Sequence, residues 1–230
     1  MRSIGRIATL AIVLAMSVNA AACTSGNSSA ASTSQSSTPR VSASPSAPPL
    51  VQEGGAPLGP GTYTTAFRPK ITFTTEGSWV SYADSATFVQ FERADGKGGI
   101  SFKRIDKVFD PANTHHLMPA PKDYVTWITT LPGVKVLAGP TDVTIDGRNG
   151  NEIDVQATTD APTIYCKDPC VALWPLDPGH PAALTTDGVA RIVALRLGGE
   201  TVTIGCGAPK AEFKAVANDF DAMLATVRFG

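Results

Sequence analysis

The stretch RIVALRLGGETVTIG, residues 191–205, sets the strongest limit on what this chain can become. Apolar and polar residues alternate on both sides of Gly198 and Gly199, which is the two-residue period of a strand with one face buried. Two consecutive glycines supply the positive φ angles of a tight two-residue turn, so the strands are antiparallel neighbours. The same pattern recurs in DVTIDGRNGNEIDVQAT, with a turn at DGRNG, and in TFVQFE and GISFKRI joined through ADGKGG. ITFTT is a further strand. Gly96, Gly98 and Gly99 are turn residues here, because they lack the strand, Gly-rich loop and helix context of a phosphate site.

Two helices accompany the strands. One is predicted to begin at Pro121, a favoured first helical residue, and to run through KDYVTWITTL until Pro132 stops it, with Tyr124, Trp127, Ile128 and Leu131 on one face. The other lies in PKAEFKAVANDFDAMLATVRF, where Phe213, Val216, Ala217, Phe220, Met223 and Leu224 form an apolar stripe at helical spacing. The closing TVRF returns to an extended pattern that suits a sheet edge. The expected fold class is α+β, an antiparallel sheet flanked by helices and covered by the amphipathic C-terminal one.

The N-terminus adds a targeting segment. Arg2 and Arg6 precede an apolar run, Ile7 to Met16, and the small residues Asn19 to Ala22, as in a secretory signal over residues 1–22. The apolar run is shorter than the ~20 residues a membrane-crossing helix needs. Ala20, Ala21, Ala22 and Cys23 resemble a bacterial lipoprotein box with Ala in place of its usual Leu, which makes Cys23 the expected lipidation site. Cleavage after Ala22 by the ordinary signal peptidase is the competing route. Residues 23–56 are Ser, Thr, Ala and Pro rich and read as a disordered tether with a reach on the order of 30 Å. The folded domain is then expected over 57–230.

Charge excludes one class of partner. Of 19 Lys and Arg, Arg2, Arg6 and Arg40 precede residue 57, and of 20 Asp and Glu only Glu53 does, leaving 16 basic and 19 acidic groups. No nucleic-acid footprint is present, and no basic amphipathic helix suits an anionic lipid surface.

Candidate sites are few. His115 and His116 are adjacent, so they point to opposite faces and share no metal; exposed loop positions explain them. His180 sits in a turn-forming DPGHP without a GxSxG elbow elsewhere. Asp142, Asp146, Asn149, Asn151, Glu152 and Asp154 gather around one hairpin, but Arg148 breaks the calcium-loop order and a solvated turn is expected. No metal and no cofactor is expected. Trp127 belongs to a helix face and reads as core. Tyr165 and Trp174 lie in a long, proline-flanked, turn-rich segment, where they would line a binding groove or hold the loop down. Cys166, Cys170 and Cys206 meet an oxidising compartment after export. The turn-prone Lys167, Asp168 and Pro169 favour a Cys166–Cys170 bridge with Cys206 buried and unpaired, while loop-closure entropy favours a bridge to Cys206.

Taken together, GTYTTAFRPKITFTTEGSW, the middle helix, VTIDGRNGNEIDV and FDAMLATVRF resemble small secreted lipoproteins of actinobacteria, some with a Mog1/PsbP-like sandwich. The segment PTIYCKDPCVALWPLDPGHP stands outside that pattern. The resemblance implies a non-catalytic binding or accessory domain. With the signal and Cys23, it is expected at the outer face of the cytoplasmic membrane, held by its lipid and engaging an envelope component, a small apolar ligand or a protein. An extracytoplasmic hydrolase with a site assembled from distant residues, or a purely structural envelope lipoprotein, are the alternatives.

Overall fold

Alternating strands joined by tight turns grow into a wide antiparallel sheet, and in the computed structural model they form one of eight strands. The structure describes residues 51, 54–163, 166–177 and 180–230, which fall in the compact unit Pro45–Gly230. In chain order the strands begin with β1 (Ala56–Leu58), β2 (Gly61–Thr64), β3 (Ile71–Thr75), β4 (Trp79–Asp84), β5 (Phe88–Arg93), β6 (Gly99–Ile105), β7 (Lys107–Asp110) and β8 (Asn113–Pro119). Helix α1 (Tyr124–Thr129) leads into β9 (Val134–Ile145), β10 (Arg148–Ala157), β11 (Cys170–Asp177), β12 (His180–Thr185), β13 (Gly188–Leu197) and β14 (Glu200–Pro209). Helix α2 (Phe213–Leu224) and β15 (Arg228–Phe229) close the chain.

The large sheet has the order β1-β4-β5-β6-β14-β13-β10-β9. Its centre is the β13–β14 hairpin, in which Leu197 pairs with Glu200 and Gly198 and Gly199 take φ of 59° and 90°. Its long outer strand, β9, carries Pro140 and shifts register against β10 between Glu152 and Asp154. A proline without an N–H and an irregular ladder make that edge a poor template for another chain.

Each face of this sheet has its own core. On the helix face, Val216, Ala217, Phe220 and Met223 of α2 pack with Phe91, Phe102, Val202 and Ile204. A three-stranded sheet, β15-β3-β2, adds Ile71 and Phe73 to that core, with the Phe73 ring 5.1 Å from Phe91. On the opposite face, here the hairpin face, lie α1, the β7–β8 ladder and the β11–β12 ladder. There Tyr124, Trp127, Ile128, Leu173, Trp174 and Leu184 pack with Ile153, Val155 and Ile192.

Several sequence expectations need correcting. Strands dominate and both helices are short, so the balanced, Mog1/PsbP-like α+β sandwich gives way to a sheet-rich fold with a C-terminal helix. The middle helix starts at Tyr124, not at Pro121, because the Asp123 side chain accepts from Thr126 N at 3.0 Å and caps it there. The segment expected as a long loop is largely a strand pair, β11–β12. The folded part also begins earlier than residue 57: Val51 is buried and donates its N–H to Thr64 O, and β1 starts at Ala56. Where the sequence does predict the structure, it does so through local turns and apolar stripes. The hairpins β5–β6, β9–β10 and β13–β14, helix α2 and the closing edge strand β15 all lie where expected.

Candidate functional site

The register of four central strands defines a floor on the hairpin face. Directly opposed residues of antiparallel strands share a face, and two rows cross β5, β6, β14 and β13 here. One row is Glu92, Gly99, Gly207 and Ala190; the next is Gln90, Ser101, Gly205 and Ile192. Three of these eight residues are glycines, so side chains are missing where a covering layer would meet them. The β11–β12 ladder stands beside this gap with Leu173, Trp174, Ala182 and Leu184. The result is an open cleft of about 440 Å³. It continues past Gly207 into a depression of about 300 Å³ between β12 and the start of β13.

The glycines are not equivalent. A Cβ at Gly99 would stand 2.8 Å from Phe91 O and one at Gly205 would stand 3.0 Å from Arg191 O, so close backbone approach demands glycine at the first and crowds the second. At Gly207 the nearest atom to a built Cβ is Val189 O at 3.9 Å, which is ordinary contact. Glycine inside a strand costs roughly 0.5–1 kcal/mol relative to alanine. Nothing in the local backbone requires that cost at Gly207; what the residue provides is open floor.

Trp174 has both of the positions expected for it. It belongs to the buried aromatic cluster, with its ring 6.3 Å from Tyr124, and it also lines the cleft. Register shifts in β11 explain this: the ladder slips between Ala172 and Trp174, so Leu173 and Trp174 are buried in succession rather than alternately. Tyr165, its proposed partner, and Cys23 lie outside the described residues. Cys166 and Cys170 are joined in a disulfide with their Cα atoms 6.1 Å apart, at the point where β11 begins. Cys206 is unpaired and buried, and burial pushes its thiol up to about 12, which keeps it protonated and unreactive at neutral pH.

The remaining sequence candidates disperse. His115 and His116 are in strand β8, not a loop, and His116 is exposed. His180 opens β12. The acidic and amide group of the β9–β10 hairpin divides between the two faces of the sheet. Asn151 donates to Asp142 at 2.8 Å and Thr144 to Asn149 at 3.1 Å on the hairpin face. Asp146, at φ 48° in the turn, accepts from Phe229 N and so ties the turn to β15. Among the described residues no group of three or more His, Cys, Asp or Glu is placed to hold a metal ion. Likewise no helix among them is long and apolar enough to cross a membrane. Gly99, expected as a turn residue, is instead the first residue of β6 and part of the cleft floor.

On the helix face, Glu152 and Asp154 gather around Arg191. Its Nε lies 2.8 Å and a terminal nitrogen 3.0 Å from the two Asp154 oxygens, the other terminal nitrogen lies 2.9 Å from Asp221 of α2, and Glu152 is 3.6 Å away. The hydrogen bonds that Arg191 donates to Asp154 hold the guanidinium above its ordinary pKa, and burial pushes Glu152 up. This network staples α2 to the sheet and faces away from the cleft.

The cleft floor is the part of the candidate site that sequence patterning does not show. Its trace is in TVTIGCGAP, where Gly205 and Gly207 are two residues apart in one strand and therefore share a face. No protein-family model and no curated protein matches the sequence. A solved structure, the crystal structure of LpqN involved in cell envelope biogenesis of Mycobacterium tuberculosis, is similar at 11% identity with a TM-score of 0.30. That alignment covers 79% of this chain and 88% of the other. A TM-score of 0.30 is too low to establish a shared fold.

Proposed function

We propose that this protein is a lipid-anchored, non-catalytic binding domain of the cell envelope that takes an elongated apolar small molecule into the cleft over Gly205 and Gly207. The observation that carries this reading is the bare floor at Gly207, where a side chain would fit and none is present. The cleft volume of about 440 Å³ falls within the roughly 300–1,000 Å³ of small-molecule sites. Leu173, Trp174, Ala182, Leu184 and Ile192 offer apolar contact along its length, and Gln90 and Ser101 offer hydrogen bonds at one side. An acyl chain ending in a hydrogen-bonding group meets both requirements.

Gly207→Leu tests the cleft directly. The probe is N-phenyl-1-naphthylamine, neutral and apolar, titrated by fluorescence against the mature protein. Wild type is expected to bind it saturably, and Gly207→Leu to weaken binding at least about tenfold, roughly 1.4 kcal/mol, with an unchanged melting temperature. Equal binding by both proteins would remove the cleft from the account.

The anchor is the second part of the proposal, supported by the signal, the small residues before Cys23 and the Ser/Thr/Pro-rich segment after it. Membrane-extracted protein is expected to carry diacylglycerol on residue 23, whose two acyl chains hold where a single chain anchors only marginally. Cys23→Ala is expected to appear in the medium. Equal release of wild type and Cys23→Ala, with an unmodified N-terminus, would sink the tether.

A further inference from the structure

The floor of the cleft continues one row beyond Gln90, Ser101, Gly205 and Ile192. Two residues on along each strand, on the same hairpin face, stand Phe88, Lys103, Thr203 and Ala194. At about 3.3 Å per residue this row lies roughly 7 Å from the last, a distance that the four-carbon stem of a lysine spans. Lys103 gives the row its one charge.

That charge is poorly compensated. Lys103 is half-buried, and its ammonium stands 5.3 Å from the centre of the Phe88 ring, which places it over β5 at the Gln90 end of the cleft. An aromatic face replaces only part of the hydration that burial removes. Asp106 acts on the ammonium through space, but no carboxylate among the described residues forms an ion pair with it. Burial accordingly pushes Lys103 below its ordinary pKa. An anion beside the ammonium offsets that cost.

Charge also gives the cleft a direction. Glu92 lies on the same face of β5, two rows from Phe88, and lines the cleft beside Gly99. An anion is therefore attracted at the Lys103 end and repelled at the Glu92 end. The Glu92 row includes Gly207, and beyond it the depression of about 300 Å³ is bounded by Leu184, Val189 and Ala208. That end suits a hydrocarbon chain. The Lys103 end, where Gln90 and Ser101 add hydrogen-bond donors, suits a charged head.

We infer that Lys103 determines the specificity of the cleft and that the ligand is an acidic amphiphile, its carboxylate or phosphate head at Lys103, Gln90 and Ser101 and its chain over Gly205 and Gly207. This rests on the cleft being an apolar binding site and adds the charge of its occupant.

Fluorescence titration of the mature protein with cis-parinaric acid and with its methyl ester, which share one tail and differ by one charge, tests the inference. At neutral pH wild type is expected to bind the acid saturably and at least about tenfold more tightly than the ester. Lys103→Met is expected to reduce that preference to about twofold or less, and Lys103→Arg, which keeps the charge, to retain most of it. Lys103→Gln replaces the Met variant should that one not fold. Displacement of bound parinarate by palmitate or by hexadecyl phosphate distinguishes a carboxylate head from a phosphate head, and either one displacing it supports an anionic ligand. Displacement by neither, equal affinity of wild type for acid and ester, a preference that persists in Lys103→Met, or its loss in Lys103→Arg would overturn the inference. If N-phenyl-1-naphthylamine still binds wild type in that event, the cleft stands and only the headgroup assignment falls; if acid, ester and naphthylamine all fail to bind, both fall.

Discussion

Phe220→Ala is expected to lower the unfolding free energy by about 4 kcal/mol. Phe220 is fully buried at the centre of the α2 stripe and packs into the core shared by Phe91, Phe102 and Ile204. Truncation removes the transfer free energy of the ring and leaves a hole that rigid neighbours cannot close. The strands beneath are locked by their ladders, β14 to both β13 and β6. Folded domains of this size are stable by about 5–15 kcal/mol, so the variant survives in the cold but melts far earlier. Urea denaturation measures the loss. A change below about 1 kcal/mol would show that α2 is not held by this residue. Because the helix lies on the opposite face from the cleft, the folded fraction of Phe220→Ala is expected to bind N-phenyl-1-naphthylamine as wild type does.

Arg191→Met is expected to cost about 3 kcal/mol, through electrostatics rather than packing. The guanidinium spans β10, β13 and α2, and the Asp154 side chain it satisfies is only 10% exposed. Without Arg191 that carboxylate is buried without its cation, beside Glu152 and Asp221 of the same sign. The sign of a second substitution separates this from a simple loss of contact. Adding Asp154→Leu to Arg191→Met is expected to recover most of the stability, since replacing a buried pair by apolar residues of similar volume is often neutral. If the double variant is instead less stable than the single, the carboxylate is not the cause.

How much of this was legible in the sequence depends on whether the determinant was local. Gly198 and Gly199 define their hairpin because a turn needs positive φ, and the α2 stripe defines its buried face because 3.6-residue spacing does. The β11–β12 ladder was hidden for an equally physical reason. Pro175 pairs with Pro181 at its outer end, and the register slips place Leu173 and Trp174 inward together, which breaks the alternation that marks a strand. Pro121 suggested a helix start, but the Asp123 carboxylate, two residues on, provides the actual cap. For the site, Trp174 and the Cys166–Cys170 pair were legible as a turn-rich aromatic segment. The floor was not, because Gly207 becomes a floor only when β14 pairs with β6 to oppose Gly99, a contact more than a hundred residues distant in sequence.

If the glycine-floored cleft receives an apolar ligand, amide NMR during a titration with N-phenyl-1-naphthylamine locates it there. The chain has three tryptophans. Trp174 lines the cleft, whereas Trp79 is buried in the helix-face core and serves as an internal control. The backbone amides of Gly99, Gly205 and Gly207 and the indole N–H of Trp174 are expected to shift together with one affinity, while the indole N–H of Trp79 and the amides of α2 stay in place. Saturable shifts confined to α2 and β3, or none at Gly205, Gly207 and Trp174, would contradict it.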